Sequence, residues 1–143
     1  MKIKITPVLI CFYLVGMLFH CSCDHHKETE LERVNRMLTA AKWTINGVSE
    51  DGVDQTASYQ KMTLTFTAGS YKVSDGGAIW PSQGAWKLND DAKSFVREDG
   101  LVIQILKIGE SDLSLSFYWP RTTFGPGRLK SIHGNYIFSF GKK

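Results

Sequence analysis

Beyond Cys23 the chain contains no cysteine, and after His26 its one histidine is His133. The first absence removes disulfides and thiol nucleophiles from whatever folds downstream. The second excludes most histidine-based metal sites and argues against a catalytic triad. An excess of charge of one sign is missing too: 17 Lys and Arg stand against 14 Asp and Glu, a net charge of +3. Setting aside Lys2 and Lys4 leaves +1, and so balanced a surface gives no reason to expect nucleic acid or another polyanion. No apolar run is long enough for a comfortable bilayer span. The longest, Pro7 to Phe19, has 13 residues where about 20 are needed.

What is present at the N-terminus is an export signal. Lys2 and Lys4 form a short positive region ahead of that apolar run, and Cys21 and Cys23 follow directly before the polar stretch Asp24 to Glu30. This order resembles a bacterial lipoprotein signal, in which the thiol after the cleavage site receives a diacylglyceryl group. Cys21 has Leu18 three residues before it but the bulky His20 beside it, whereas Cys23 follows the small Ser22. Either thiol fits, and Cys11 lies inside the apolar run. An uncleaved membrane anchor is the alternative, and both readings place the rest of the chain outside the cytoplasm. Cys21, Cys23, His25 and His26 together also suit a soft metal. Lipidation would consume one of those thiols, so we expect no metal there.

The remaining composition, 43% apolar and 22% charged, is that of a folded globule. The expected organisation is a signal peptide over 1–22, a tether and short helix over 23–41, and one domain over 42–143. From Lys27 to Ala41, Leu31, Val34, Leu38 and Ala41 recur at spacings of three and four, with Glu28, Glu30 and Glu32 early, where a helix dipole favours acids. This helix either packs on the domain by one edge or serves as a stalk.

From Trp43 the period changes to two. Met62, Leu64 and Phe66 alternate with threonines, and Leu113, Leu115, Phe117 and Trp119 alternate with Ser114, Ser116 and Tyr118. Tyr71 and Val73, Gly84 and Trp86, a short run at Phe95, and Tyr136, Phe138 and Phe140 follow the same rule. In Leu101 to Leu106 both faces are largely apolar, which predicts a strand covered on both sides. Asp51-Gly52, Ala68-Gly69, Asp75-Gly76-Gly77, Asn89-Asp90-Asp91, Asp99-Gly100 and Gly109-Glu110 punctuate the runs where tight hairpins need positive φ. Short connections require antiparallel neighbours. About eight such strands, apolar on one face, bury that face best by closing into a barrel. The fold class is therefore all-β, a single antiparallel meander barrel behind a short N-terminal helix. Pro120 to Arg128 breaks the rhythm and reads as a rim loop.

An ordered set of motifs now resembles a known family. Trp43 opens the first strand, followed by Asp51 to Asp54, Met62 to Thr67, the Gly84-x-Trp86 strand, Leu113 to Phe117, Thr122 to Arg128 and Phe138 to Lys142. Over roughly 38–143 the chain resembles the lipocalin-like domain of Gram-negative surface lipoproteins. The resemblance implies an eight-stranded barrel on an outer-membrane lipoprotein, periplasmic or surface-exposed. Lipocalins carry Gly-x-Trp at the first strand and a late basic residue packed on that Trp. Here position 41 is Ala, the matching element is Trp43, and the basic partner is Arg128 or Lys130.

Catalytic chemistry is not apparent. Asp51, Asp54, Asp90, Asp91, Asp99, Glu110 and Asp112 cluster at the expected turns, where turn geometry explains them. Gly125 to Ser131 lacks the glycine-to-lysine spacing of a phosphate loop. We expect no enzyme, no cofactor and no metal. Aromatics are plentiful instead. On one reading Trp43, Phe66, Tyr71, Trp86, Phe117, Trp119 and Phe138 line a cavity for a small hydrophobic ligand. On the other the same rings fill the barrel, and the rim loop with Arg121, Phe124 and Arg128 contacts envelope or host proteins.

Overall fold

A computed structural model describes residues 27–120 and 132–143. Cys21, Cys23, Arg121, Phe124, Arg128 and Lys130 lie outside the described residues.

Helix α1 spans Glu30–Thr39, shorter at both ends than the periodicity suggests. Thr29 sets its start. The Thr29 hydroxyl accepts from the Glu32 amide at 3.2 Å, and the Glu32 carboxylate accepts from the Thr29 amide at 2.8 Å, a reciprocal cap that satisfies two otherwise free donors.

The strands are β1 (Lys42–Glu50), β2 (Val53–Asp54), β3 (Thr63–Thr67), β4 (Ser70–Ser74), β5 (Gln83–Leu88), β6 (Ser94–Arg97), β7 (Val102–Ile108), β8 (Asp112–Trp119) and β9 (Gly134–Lys142). A one-turn helix, α2 (Thr56–Tyr59), follows β2. Every neighbour pair is antiparallel, and β9 returns to pair with β1 from Trp43↔Lys142 to Glu50↔Tyr136, so eight strands close a barrel. β2 adds a two-residue ribbon to β1. Its tight turn has Asp51 at φ 47° and Gly52 at φ 83°, the paired left-handed geometry that makes Asp-Gly a hairpin signal.

Alternation decides which face is inside. Leu113, Leu115, Phe117 and Trp119 are buried, as are Met62, Leu64, Phe66, Tyr136, Phe138 and Phe140. Threonines, serines and lysines dominate the outer face, the reverse of a membrane-spanning barrel, whose apolar band faces outward. No helix among the described residues is long and apolar enough to cross a membrane. β7 departs from expectation. Ile103 is buried, but Val102 and Leu106 are 45% and 56% exposed, so its second face is uncovered among the described residues.

The register also defines the ends. Lys42, the β3–β4 hairpin, the β5–β6 and β7–β8 turns and the C-terminus gather at one end. α1 contacts both β3 and β7, which are four strands apart around a ring of eight, so the helix crosses that end and closes it. Val34 and Leu38 are its buried side chains, which settles the choice between packing and stalk in favour of packing.

At β4–β5 the structure differs from the expected tight turn. Asp75-Gly76-Gly77 begins an eight-residue connection, 75–82, that folds back inward and buries Ile79 and Trp80. A Cβ on Gly76 would lie 2.5 Å from the Trp80 Cβ and 2.6 Å from Val73 Cγ1, so only glycine permits this path.

Gly84 has a similar role on the wall. It pairs with Tyr71 in the β4–β5 ladder, and an added Cβ would sit 2.7 Å from Tyr71 Oη and 2.9 Å from two ring carbons. The phenol ring thus lies in the space that glycine leaves. Gly84→Ala should cost about 1–3 kcal/mol through overpacking. In a Tyr71→Ala background that cost should largely vanish. Thermal melts of the four proteins measure this, and strictly additive losses would contradict the packing described.

Candidate functional site

The aromatic set divides into two connected clusters and one isolated member. Phe66, Trp86 and Phe95 meet edge to face with centroids 5.1, 5.4 and 5.6 Å apart. Trp86 Nε1 donates to the Thr67 and Ser70 carbonyls, at 3.0 and 2.9 Å, and so ties this cluster to the β3–β4 hairpin. Trp43 is buried at the closed end, where its indole N–H donates to the Leu38 carbonyl of α1 at 3.0 Å. Phe66, Trp86 and Trp43 are thus committed to the wall and the closed end.

The second cluster centres on Trp80, whose connection enters the barrel from the opposite end. Its indole meets Tyr71, Phe117 and Phe138 edge to face at 6.0, 5.7 and 6.1 Å. Tyr71 is on β4, but Phe117 and Phe138 are on β8 and β9, half the ring away from the β4–β5 connection that carries Trp80. A side chain reaching from one wall to the other occupies the axis. Phe117, Tyr136, Phe138 and Phe140 stack in sequence along the far wall.

One charge enters this cluster. Arg97 ends β6, two residues after the inward-facing Phe95, and its side chain is fully buried. The guanidinium carbon lies 5.1 Å from the Trp80 centroid and 5.8 Å from that of Trp119. Nη1 donates to the Ile79 carbonyl at 2.9 Å, while Nη2 and Nε donate to Asp99 at 2.6 and 3.2 Å. Asp99 therefore neutralises a buried cation from the β6–β7 turn, and Arg97 fastens the 75–82 connection to the wall. Tyr71 Oη and Trp80 Nε1 are buried donors with no hydrogen-bond partner among the described residues. Burial raises the Tyr71 pKa, with Arg97 opposing that shift in part. Tyr136 is held protonated more firmly, by burial and by Glu50, and its hydroxyl donates to the Ile132 carbonyl at 2.8 Å.

Of the residues expected at a ligand cavity, Tyr71, Phe117 and Phe138 are brought together around Trp80, and Trp119 joins through Arg97. The family comparison implies a cation on Trp43. Arg128 and Lys130 fall outside the described residues, and the cation–π contacts seen belong to Arg97. Trp80 is not among the residues expected at the cavity, and the sequence reading assigns no role to Arg97. A signal for Arg97 existed in the period-two spacing from Phe95 and in Asp99 two residues on. Hollows of about 290, 330 and 130 Å³ lie at Gly47–Ser49 with Thr56, at Ser70–Lys72 with Glu98, and at Asp99–Leu101 with Trp119. None of these three is walled by Trp80, Phe117 or Phe138.

The turn carboxylates hold backbone. Asp51 accepts from the Asn135 amide and side chain at 2.9 and 3.0 Å, which lowers its pKa. Asp54 is lowered likewise by the Thr56 hydroxyl and amide. Asp91 accepts from the Lys93 amide at 2.9 Å. His133 is exposed. Among the described residues no three His, Cys, Asp or Glu lie close enough together to hold a metal ion.

No protein-family model matches the chain. No curated protein matches it either.

Proposed function

We propose that this chain is a lipid-anchored lipoprotein of the cell envelope, held in the outer membrane through Cys21 or Cys23, whose lipocalin-like barrel takes up a small hydrophobic molecule at the end opposite α1. One observation carries the ligand reading. The centre of the barrel is filled by Trp80, which arrives on a connection, and not by strand side chains alone. The wall therefore encloses more room than its own residues occupy, and that room is lined by rings. Eight strands is the size at which a barrel either fills itself or holds one small ligand. The leader supports the anchor: a positive start, a short apolar run and two adjacent thiols before a polar tether.

Titration with a hydrophobic fluorophore, read through tryptophan emission, tests the barrel half of this proposal. A saturable change at one site per chain is expected. No saturation across lipid, bile-salt-like and porphyrin-like compounds would sink it. For the anchor, a palmitate analogue fed to expressing cells should label the wild type and fail on Cys21→Ala, Cys23→Ala. Label persisting on the double variant would refute lipidation, and the single variants identify the thiol.

A second reading has its own support. With Trp80 seated, the rings pack against one another across the barrel, which suits a structural or interaction module working through its rim. Arg121, Phe124 and Arg128 would then form its contact surface. On that reading no fluorophore saturates the barrel, and substitutions at those three residues alter association with envelope proteins.

A further inference from the structure

We infer that the ligand site of the barrel is the space held by the Trp80 indole, and that its ligand is a flat, uncharged aromatic molecule of about indole size that displaces Trp80 on the 75–82 connection. This rests on the ligand-binding reading above and names the site and the chemical class.

The surroundings of the indole define what the space accepts. Tyr71, Phe117 and Phe138 all stand nearly perpendicular to it, at 84°, 84° and 83°. The Arg97 guanidinium lies over its π face at 5.1 Å. Edge-to-face contacts on several sides and a cation above the ring are complementary to a planar, electron-rich system. An aliphatic chain gains neither interaction, and an aromatic cation is repelled by Arg97.

The resident indole is also poorly secured in polar terms. Its N–H is buried with no partner among the described residues, so Trp80 regains a hydrogen bond on reaching water; an incoming ring without a polar hydrogen forfeits none, and indole gives up only the bond that Trp80 regains. The connection that carries it has glycines at 76 and 77 on one side and Pro81 on the other. Gly76 and Gly77, the latter at φ 63°, carry no Cβ to restrict their backbone, so the freedom needed for outward rotation is at the base of the segment. Three hydrogen bonds hold it: Arg97 to the Ile79 carbonyl at 2.9 Å, the Val73 amide to the Ser82 carbonyl at 2.7 Å at its far end, and the Trp80 amide to the Gly76 carbonyl at 3.2 Å within it, so outward rotation has to break the first and the last. Ligand and Trp80 are then mutually exclusive, and the apparent affinity of the wild type is reduced by the fraction of chains in which the site is vacant.

The test uses the full chain labelled with 5-fluorotryptophan, titrated with indole and followed by fluorine NMR against a detergent-only control. The four tryptophans give separable signals, and Trp80→Phe assigns the one that matters. As indole saturates, the Trp80 signal should move toward its solvent-exposed position and become sensitive to a soluble paramagnetic agent. Saturation with Trp80 still shielded overturns the inference, as does no binding of indole. If a fluorescent fatty acid saturates the barrel while Trp80 stays shielded, the ligand-binding reading survives and this inference falls. In Trp80→Ala the vacated site should bind indole at least about tenfold more tightly than wild type. Equal or weaker affinity in a folded variant overturns it, and the wild-type NMR titration decides should that variant not fold.

Discussion

Truncating Trp43 to Ala should cost about 3–5 kcal/mol of stability, the range for deleting a large buried aromatic. The ring is 1% exposed, and its N–H is bonded to the Leu38 carbonyl at 3.0 Å. Its strand position lies between Leu64 on one side and Lys142 on the other, where the first and last strands of the barrel meet. Three losses therefore coincide: the buried area, the hydrogen bond, and the seat of the helix that closes this end. A domain of this size has about 5–15 kcal/mol in total, so the shift in denaturant midpoint should be large. Leu31→Ala, on the exposed side of the same helix, should move it by no more than about 0.5 kcal/mol. A Trp43→Ala midpoint as small as that would mean that α1 does not depend on this indole.

Asp99→Ala should be the other severe change, although Asp99 is a turn residue with its side chain 21% exposed. Its partner is the fully buried Arg97, and removing the carboxylate leaves a guanidinium in an aromatic interior with one carbonyl as its remaining hydrogen-bond acceptor and no anion to neutralise it. Breaking a buried pair in this way costs about 3–5 kcal/mol. Arg97→Met removes the charge itself and leaves a carboxylate that water can reach, so it should cost less. The double variant Arg97→Met, Asp99→Ala should be more stable than Asp99→Ala alone, because no unpaired charge stays behind. Urea denaturation of the three variants separates these outcomes. If Arg97→Met is the costlier single change, the anchoring of Ile79 and Trp80 outweighs the electrostatics. If both are mild, the pair is not desolvated.

How much of this was legible depends on where each residue's fate is decided. The alternation in Met62 to Thr67 and in Leu113 to Trp119 is a local property of a strand with one buried face, and the structure follows it residue by residue. Barrel closure follows almost as directly, since a run of antiparallel strands with one apolar face has few other ways to bury it. Trp80 was a different matter. Asp75-Gly76-Gly77 has the chemistry of a hairpin turn, and nothing local distinguishes that from the start of a segment folding back into the barrel. The difference lies in Phe117 and Phe138, about forty and sixty residues away in sequence, which give the indole somewhere to go. Arg97 was obscured by the general rule that arginine stays in water, and its burial depends on Asp99, Trp80 and Trp119 being assembled around it. The apolar outer residues of β7 misled in the opposite direction. Val102 and Leu106 suit a strand by shape, and in this barrel nothing among the described residues covers them.

Native mass spectrometry of the chain released gently from the membranes of cells that produce it tests the central proposal most directly. The account predicts a mass above that of the lipidated chain by one small molecule per barrel, lost on mild collisional activation and recovered in organic extract as a hydrophobic compound. A single species at the mass of the lipidated chain, unchanged after incubation with membrane extracts, would contradict it.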